Sequence, residues 1–190
     1  MDILSDKSNY YFHDIEFDAL SDVILGAKKR GLEACVKTFC GDSVQAFLNK
    51  EYILDKNDFV FLDPYTPFDN NVEGFKFFDI FEKSISVGAM TLLWYGYDEL
   101  EGKNRISNYI KKTATKLNAE IWCFDVWLKC MTDIDCRINP GVPGCGLACA
   151  NLSKESINKL GKYLNIVGEH YSNATYCTNE ASLLTESIKY

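Results

Sequence analysis

FVFLDPYTPFD, residues 59–69, opens as a four-residue apolar run and ends in a carboxylate, a proline and an aromatic. Phe59 to Leu62 carries no polar interruption, which suits a central strand covered on both faces. Pro64 has no N–H to give to a ladder, so the strand must stop there and deliver Asp63, Pro64 and Tyr65 at its carboxyl end. In an open α/β sheet that end is where ligands bind. Asp63, Pro64 and Tyr65 together raise the question of an active site there. The plainer reading is a strand entering a turn, since Asp and Pro are favoured in turns whatever the function.

Outward from this stretch the chain alternates strands and helices. Upstream, SNYYFHDIE reads as a strand. FDALSDVILGAKKRGL follows as a helix with Leu20, Val23, Ile24 and Ala27 on one face and Gly31 as its stop. EACVKTFCGD is a second strand, and DSVQAFLNKEYIL a short helix with Asp42 or Ser43 as N-cap. Downstream come the helix NVEGFKFFDIFEKSIS, the strand MTLLWYGY, the helix ELEGKNRISNYIKKTATKLN and the strand EIWCFDVWLK. GCGLACANL then gives a sixth strand and SKESINKLGKYL a helix capped by Ser153. The last two strands have no helix between them and read as a hairpin added at a sheet edge. Residues 165–190 are weakly patterned and are expected to form a mobile tail. Strand–helix alternation implies parallel pairing with right-handed crossovers. The expected fold is α/β, a mostly parallel sheet with its last strand antiparallel and helices on both faces, in one domain over 1–190.

Three consecutive strands end in acid: the first at Asp14 with Glu16 just beyond, the second at Asp42 followed by Ser43, the third at Asp63. Each has a bland explanation as a turn or cap residue. As a series they describe a nucleoside slot: one carboxylate accepts both hydroxyls of a ribose, and the next accepts from an adenine amino group.

Composition narrows the partners. Hydrophobic residues make up 47% and aromatics 14% of the 190 residues, a globular composition. A formal net charge of −7 argues against broad attraction to phosphate backbones. Two short basic patches, Lys28-Lys29-Arg30 and Lys111-Lys112, read most simply as solvated helix faces. No run of about 18 apolar residues is present, so no membrane-spanning helix is expected. The opening MDILSDKSNYYFHD is polar and acidic, unlike an export signal, so a cytoplasmic location is expected. Eight cysteines form no C-x-x-C pair and there are two histidines, so buried or partly exposed thiols are expected and no metal site. Sequons at Asn151 and Asn173 carry little weight without secretion.

The order HDIE, CGDS, FVFLDPY, LLWYGY, CFDVWLK and GCGLACANL resembles a class I S-adenosylmethionine-dependent methyltransferase. More narrowly, residues 8–172 are similar to the RlmJ-type family, which methylates an adenine N6 of 23S ribosomal RNA. That family has a strand ending in D-P-P-Y, a strand with L-W-Y, a strand with I-E-L and a strand with G-x-G-M. The resemblance implies S-adenosylmethionine as cofactor, with Asp14 and Glu16 at its ribose and Asp42 and Ser43 at its adenine. It also implies that Asp63 and the Pro64 carbonyl hold the substrate amine, with Tyr65 as the aromatic face. Hydrogen bonds from both N–H groups would draw the amine's lone pair out of conjugation, and alignment behind an already activated methyl would supply the rest. The base must leave its stack to react.

The sequence departs from that family in two places. The motif reads D-P-Y-T, with the aromatic one position early. The opening strand and its glycine-rich loop have no counterpart, so the sheet is expected to lack its first strand. Gly141 to Gly146 offers a second place for such a loop in a permuted order, although Leu147 to Ala150 also fits a final strand. The expected function is methyl transfer to a nucleic-acid base, in rRNA or DNA. The alternative is an impaired, methyltransferase-like binding or assembly protein that lost the cofactor loop. Edges left by a missing strand would favour self-association or a second chain that completes the site.

Overall fold

The computed structural model describes residues 5–48, 53–64, 67–128, 143–172 and 183–190. The chain divides into two compact units. The first runs to Ile53 and includes Asn71–Phe75; the second holds Leu54–Asn70 and Lys76–Tyr190.

In the first unit, β1 (Tyr10–Asp14), α1 (Phe17–Lys29), β2 (Val36–Cys40) and α2 (Ser43–Leu48) follow the expected order. β1 and β2 pair in parallel, from Tyr10 opposite Val36 to Asp14 opposite Cys40. Helix α1 buries Leu20 and Ala27, while Ile24, expected on the same face, is 47% exposed. Gly31 stops the helix at φ +68°, where the Gly31 and Leu32 N–H groups reach back to Lys28 and Ala27 carbonyls. That left-handed turn is open to glycine without steric cost.

The second unit contains β3 (Phe59–Leu62), α3 (Phe77–Ser86), β4 (Met90–Tyr97), α4 (Leu100–Leu117), β5 (Ile121–Leu128), β6 (Gly144–Ala150), α5 (Lys154–Ser172) and β7 (Leu183–Lys189). Its sheet has the order β3-β4-β6-β5-β7. β3 and β4 are parallel, whereas β6 runs antiparallel to both β4 and β5, and β7 antiparallel to β5. The fold is thus mixed α/β.

Three expectations change here. β5 and β6 do pair antiparallel, but β6 lies inside the sheet between β4 and β5, not at an edge. Its residues, GCGLACA, are mostly small, so large side chains from both neighbours close over it. β3 is an edge strand, paired only with β4 among the described residues, and Phe59 and Phe61 are 52% and 53% exposed. A short apolar run does not by itself distinguish a central strand from an edge. Within 165–190, residues to Ser172 continue α5 and Leu183–Lys189 forms β7, where a tail was expected. The alternation in LLTESIK is broken by two leading leucines, which hides the period of a strand.

The core of this sheet depends on two cross-strand rows. Tyr95, Gly146 and Asp125 lie side by side on β4, β6 and β5, as do Tyr97, Gly144 and Trp127. With no side chain at Gly146, the Tyr95 ring crosses β6 and its hydroxyl donates to Asp125 Oδ1 at 3.0 Å. One row on, the Tyr97 ring stacks against Trp127 at 5.6 Å. Gly144 and Gly146 are therefore strand residues that make room for aromatic rings, not parts of a phosphate-type loop; Gly141 and Val142 lie outside the described residues. Asn151, at φ +58°, ends β6 and donates to the carbonyls of Ile85 and Ala89, tying β6 to the turn after α3. Ser153 caps α5 as expected, its hydroxyl accepting from the Ser156 N–H at 3.1 Å.

Candidate functional site

Each candidate acid sits at the carboxyl end of its strand. Asp14 closes β1, and its Oδ1 accepts the Glu16 N–H at 2.9 Å. The peptide of Gly41, just past β2, donates to the Asp14 carbonyl at 3.0 Å, so the two strand ends are joined by backbone. Oδ2 of Asp14 accepts nothing among the described residues, and the side chain is half-buried. One oxygen of Asp14 thus orients the turn and the other remains open to a hydroxyl donor. Glu16 occupies the position before α1 with an exposed side chain that does not cap the helix.

Asp42 is more heavily used. Its Oδ1 accepts the N–H groups of Val44 at 2.9 Å and Gln45 at 3.1 Å, the N-cap expected from the sequence. Its Oδ2 accepts from the Asn71 amide at 2.8 Å. A carboxylate offers about four lone-pair sites, so about one is left for a ligand. Asn71 was not expected here. It also accepts from the N–H groups of Glu73 and Phe75 through its own side-chain oxygen, folding the turn 71–75 against Asp42. The asparagine before V-E-G is the only sequence sign of that turn. Ser43 begins α2, half-buried, and its hydroxyl makes no hydrogen bond among the described residues.

Asp63 follows β3 directly and is exposed. Its carboxylate makes no hydrogen bond or ion pair among the described residues, while Pro64 and Pro67 beside it are buried. A solvated carboxylate with no partner among the described residues, followed by two buried prolines, is available to accept hydrogen bonds. Tyr65 lies outside the described residues. The segment beyond is held in place: the Pro67 carbonyl accepts the Phe78 N–H at 3.0 Å, and Phe68 packs at 5.0 Å against both Phe78 and Tyr109. Asp63 belongs to the second unit, Asp14 and Asp42 to the first.

Two of the cysteines, Cys123 and Cys149, serve packing. Cys123 and Cys149 are buried, and burial pushes both thiols up to about 12, with the Asp125 charge adding to the effect at Cys123. Burial likewise raises Cys145, and burial together with Cys123 and Asp125 holds the Tyr95 hydroxyl well above its ordinary value. Thiolate is the reactive form, so these thiols are inert at neutral pH. Cys130, Cys136 and Cys177 lie outside the described residues. Residue-resolved alkylation is expected to label exposed Cys40 in the native protein, and Cys123 and Cys149 only after unfolding. The same thiols predict weakness in alkali. An unfolded thiol ionises near 8.5 whereas the folded ones retain protons to about 12, so above pH 8.5 the folded state binds more protons and stability falls as pH rises. Two such groups should cost about 2–4 kcal/mol between pH 8 and pH 10, read as a lower urea midpoint; an unchanged midpoint would contradict their burial as thiols.

No family model matches the chain, and neither does any curated protein. Among solved structures, it is similar to protein LPL1258 from Legionella pneumophila str. Philadelphia 1, of the family-model DUF519, with a TM-score of 0.63 at 14% identity. The likeness covers 98% of this chain and 62% of that one, so this chain spans about 62% of the length of its neighbour. At that identity the likeness concerns the fold: both are mixed α/β proteins. Among the described residues, no helix is long and apolar enough to cross a membrane.

Proposed function

We propose that the chain is an S-adenosylmethionine-dependent methyltransferase acting on a nucleic-acid base, adenine N6 being the favoured target. The observation that carries this reading is the state of Asp63. It stands at a strand's carboxyl end, exposed and unpartnered among the described residues, where a substrate amine would need an acceptor. Asp14, whose Oδ2 accepts nothing among the described residues, would accept a ribose hydroxyl, and the remaining acceptor site of Asp42 would take the adenine amino group. Glu16 and Ser43 would flank these contacts. The cofactor supplies an activated methyl, so the protein's task is alignment of the amine.

β3 is an edge strand among the described residues, and a further segment from this or a second chain would pair there. The same open edge, with Phe59 and Phe61 half-exposed, favours the second reading: an assembly protein that kept the sheet and lost turnover.

Transfer of a labelled methyl group distinguishes the two. With tritiated S-adenosylmethionine, the protein is expected to label an adenine-containing single-stranded RNA at N6, identified by mass spectrometry of the nucleosides. Absence of label from both RNA and DNA substrates would leave the assembly reading in place of the catalytic one.

A further inference from the structure

We propose that the outer face of α4, together with Lys76, is a docking surface for single-stranded nucleic acid. In a chain of formal net charge −7, α4 carries five basic residues (Lys103, Arg105, Lys111, Lys112 and Lys116) against one acid, Glu101. Two of these cations are already engaged: Lys116 bonds Glu82 at 2.8 Å, and Lys103 has a partner of its own. Arg105, Lys111 and Lys112 are exposed and form no ion pair among the described residues. Arg105, Tyr109 and Lys112 stand at i, i+4 and i+7, one stripe of the helix, with exposed Asn108 beside them.

Tyr109 gives the stripe its chemistry. Its ring is 46% exposed although it packs against Phe68 at 5.0 Å and Phe78 at 6.0 Å, and the Lys76 ammonium lies 5.8 Å from its centroid. The ring is therefore fixed from beneath and open at its rim, with cations on both sides along the helix. A half-exposed aromatic rim offers contact to a base while the flanking cations meet phosphates, the combination by which proteins hold single strands. A solvated helix face would account for the lysines but not for a braced, half-exposed aromatic among them. Phe68 follows Asp63 by five residues, so the surface adjoins the loop that would receive the substrate amine. The inference names where a substrate strand lies, and to that extent rests on the nucleic-acid reading; binding without cofactor tests it separately from methyl transfer.

The test is fluorescence anisotropy of a labelled oligo(A) RNA of about 12 nucleotides over a salt series, with no cofactor present. The wild-type affinity should fall with salt at a slope of roughly −2, as about three phosphate contacts require. The R105Q/K111Q/K112Q variant should lose most of that slope. Tyr109→Ala should bind about 10-fold more weakly with the slope retained. All these side chains are exposed or half-exposed, so thermal melts should confirm folded variants, and Lys76→Gln gives an independent loss. No binding by the wild-type protein, equal binding by all variants, or equal competition by polyglutamate, which would mark an acidic-protein surface, would each overturn the proposal.

Discussion

Gly146→Ala is expected to destabilise the protein by about 3 kcal/mol, one of the largest effects available from a single methyl group. A Cβ at this position would lie 2.5 Å from Tyr95 Cζ, 2.6 Å from the Tyr95 hydroxyl and 2.7 Å from Asp125 Oδ1. No rotamer change of a flexible tip relieves this, because the ring is fully buried. Tyr95 must retreat, and its hydrogen bond to Asp125 is then lost, leaving a buried carboxylate short of a donor. Gly144→Ala should behave alike, since its Cβ would fall within the Tyr97 ring and 2.6 Å from Trp127 Cε3. Gly161→Ala, in α5, is the control: its nearest neighbour would be Phe124 Cε1 at 3.8 Å, so improved helix propensity should leave stability equal or higher by up to about 1 kcal/mol. Urea unfolding followed by tryptophan fluorescence measures all three. A Gly146→Ala midpoint equal to wild type would mean that Tyr95 does not cross β6.

Asp63→Ala is expected to reduce methyl transfer at least about 100-fold, with little change in stability. The side chain is exposed and makes no hydrogen bond among the described residues, so its removal orphans nothing. What is lost is the acceptor for the substrate's N–H groups, an interaction that strengthens as the nitrogen's lone pair leaves the ring system. Such a loss appears in turnover more than in substrate affinity. Asp63→Asn, which keeps one acceptor oxygen, should retain part of the rate. Single-turnover kinetics with cofactor in excess, beside a thermal melt of each variant, checks the assignment. Turnover unaffected in Asp63→Ala would remove Asp63 from the chemistry.

Much of this architecture was legible because the local signals agree. Phe17–Lys29 and Leu100–Leu117 carry a helical period, Tyr10–Asp14 and Met90–Tyr97 are short, mostly apolar or aromatic runs, and each is stopped by an acid, a glycine or an asparagine. The Asp42 cap followed from its place before a helix. The position of β6 was not legible, because GCGLACA is read by its own residues while its place depends on the large rings of β4 and β5 that need small partners. The edge position of β3 was hidden for a related reason: Phe59 and Phe61 are apolar whether or not a neighbour covers them. Within the candidate site, the sequence identified the acids at strand ends but not how far each is already committed. That depends on Asn71, nearly thirty residues from Asp42 in sequence, and on the turn it folds.

The central claim is that Asp14 and Asp42 hold the nucleoside of S-adenosylmethionine. Thermal melts over rising S-adenosylhomocysteine, to millimolar, test it most directly, because a ligand that binds only the folded state stabilises it as RT ln(1 + [L]/Kd). The wild-type melting temperature should climb with concentration, and Asp14→Ala should lose most of that climb while melting normally without ligand. A flat wild-type response to millimolar ligand would contradict the account.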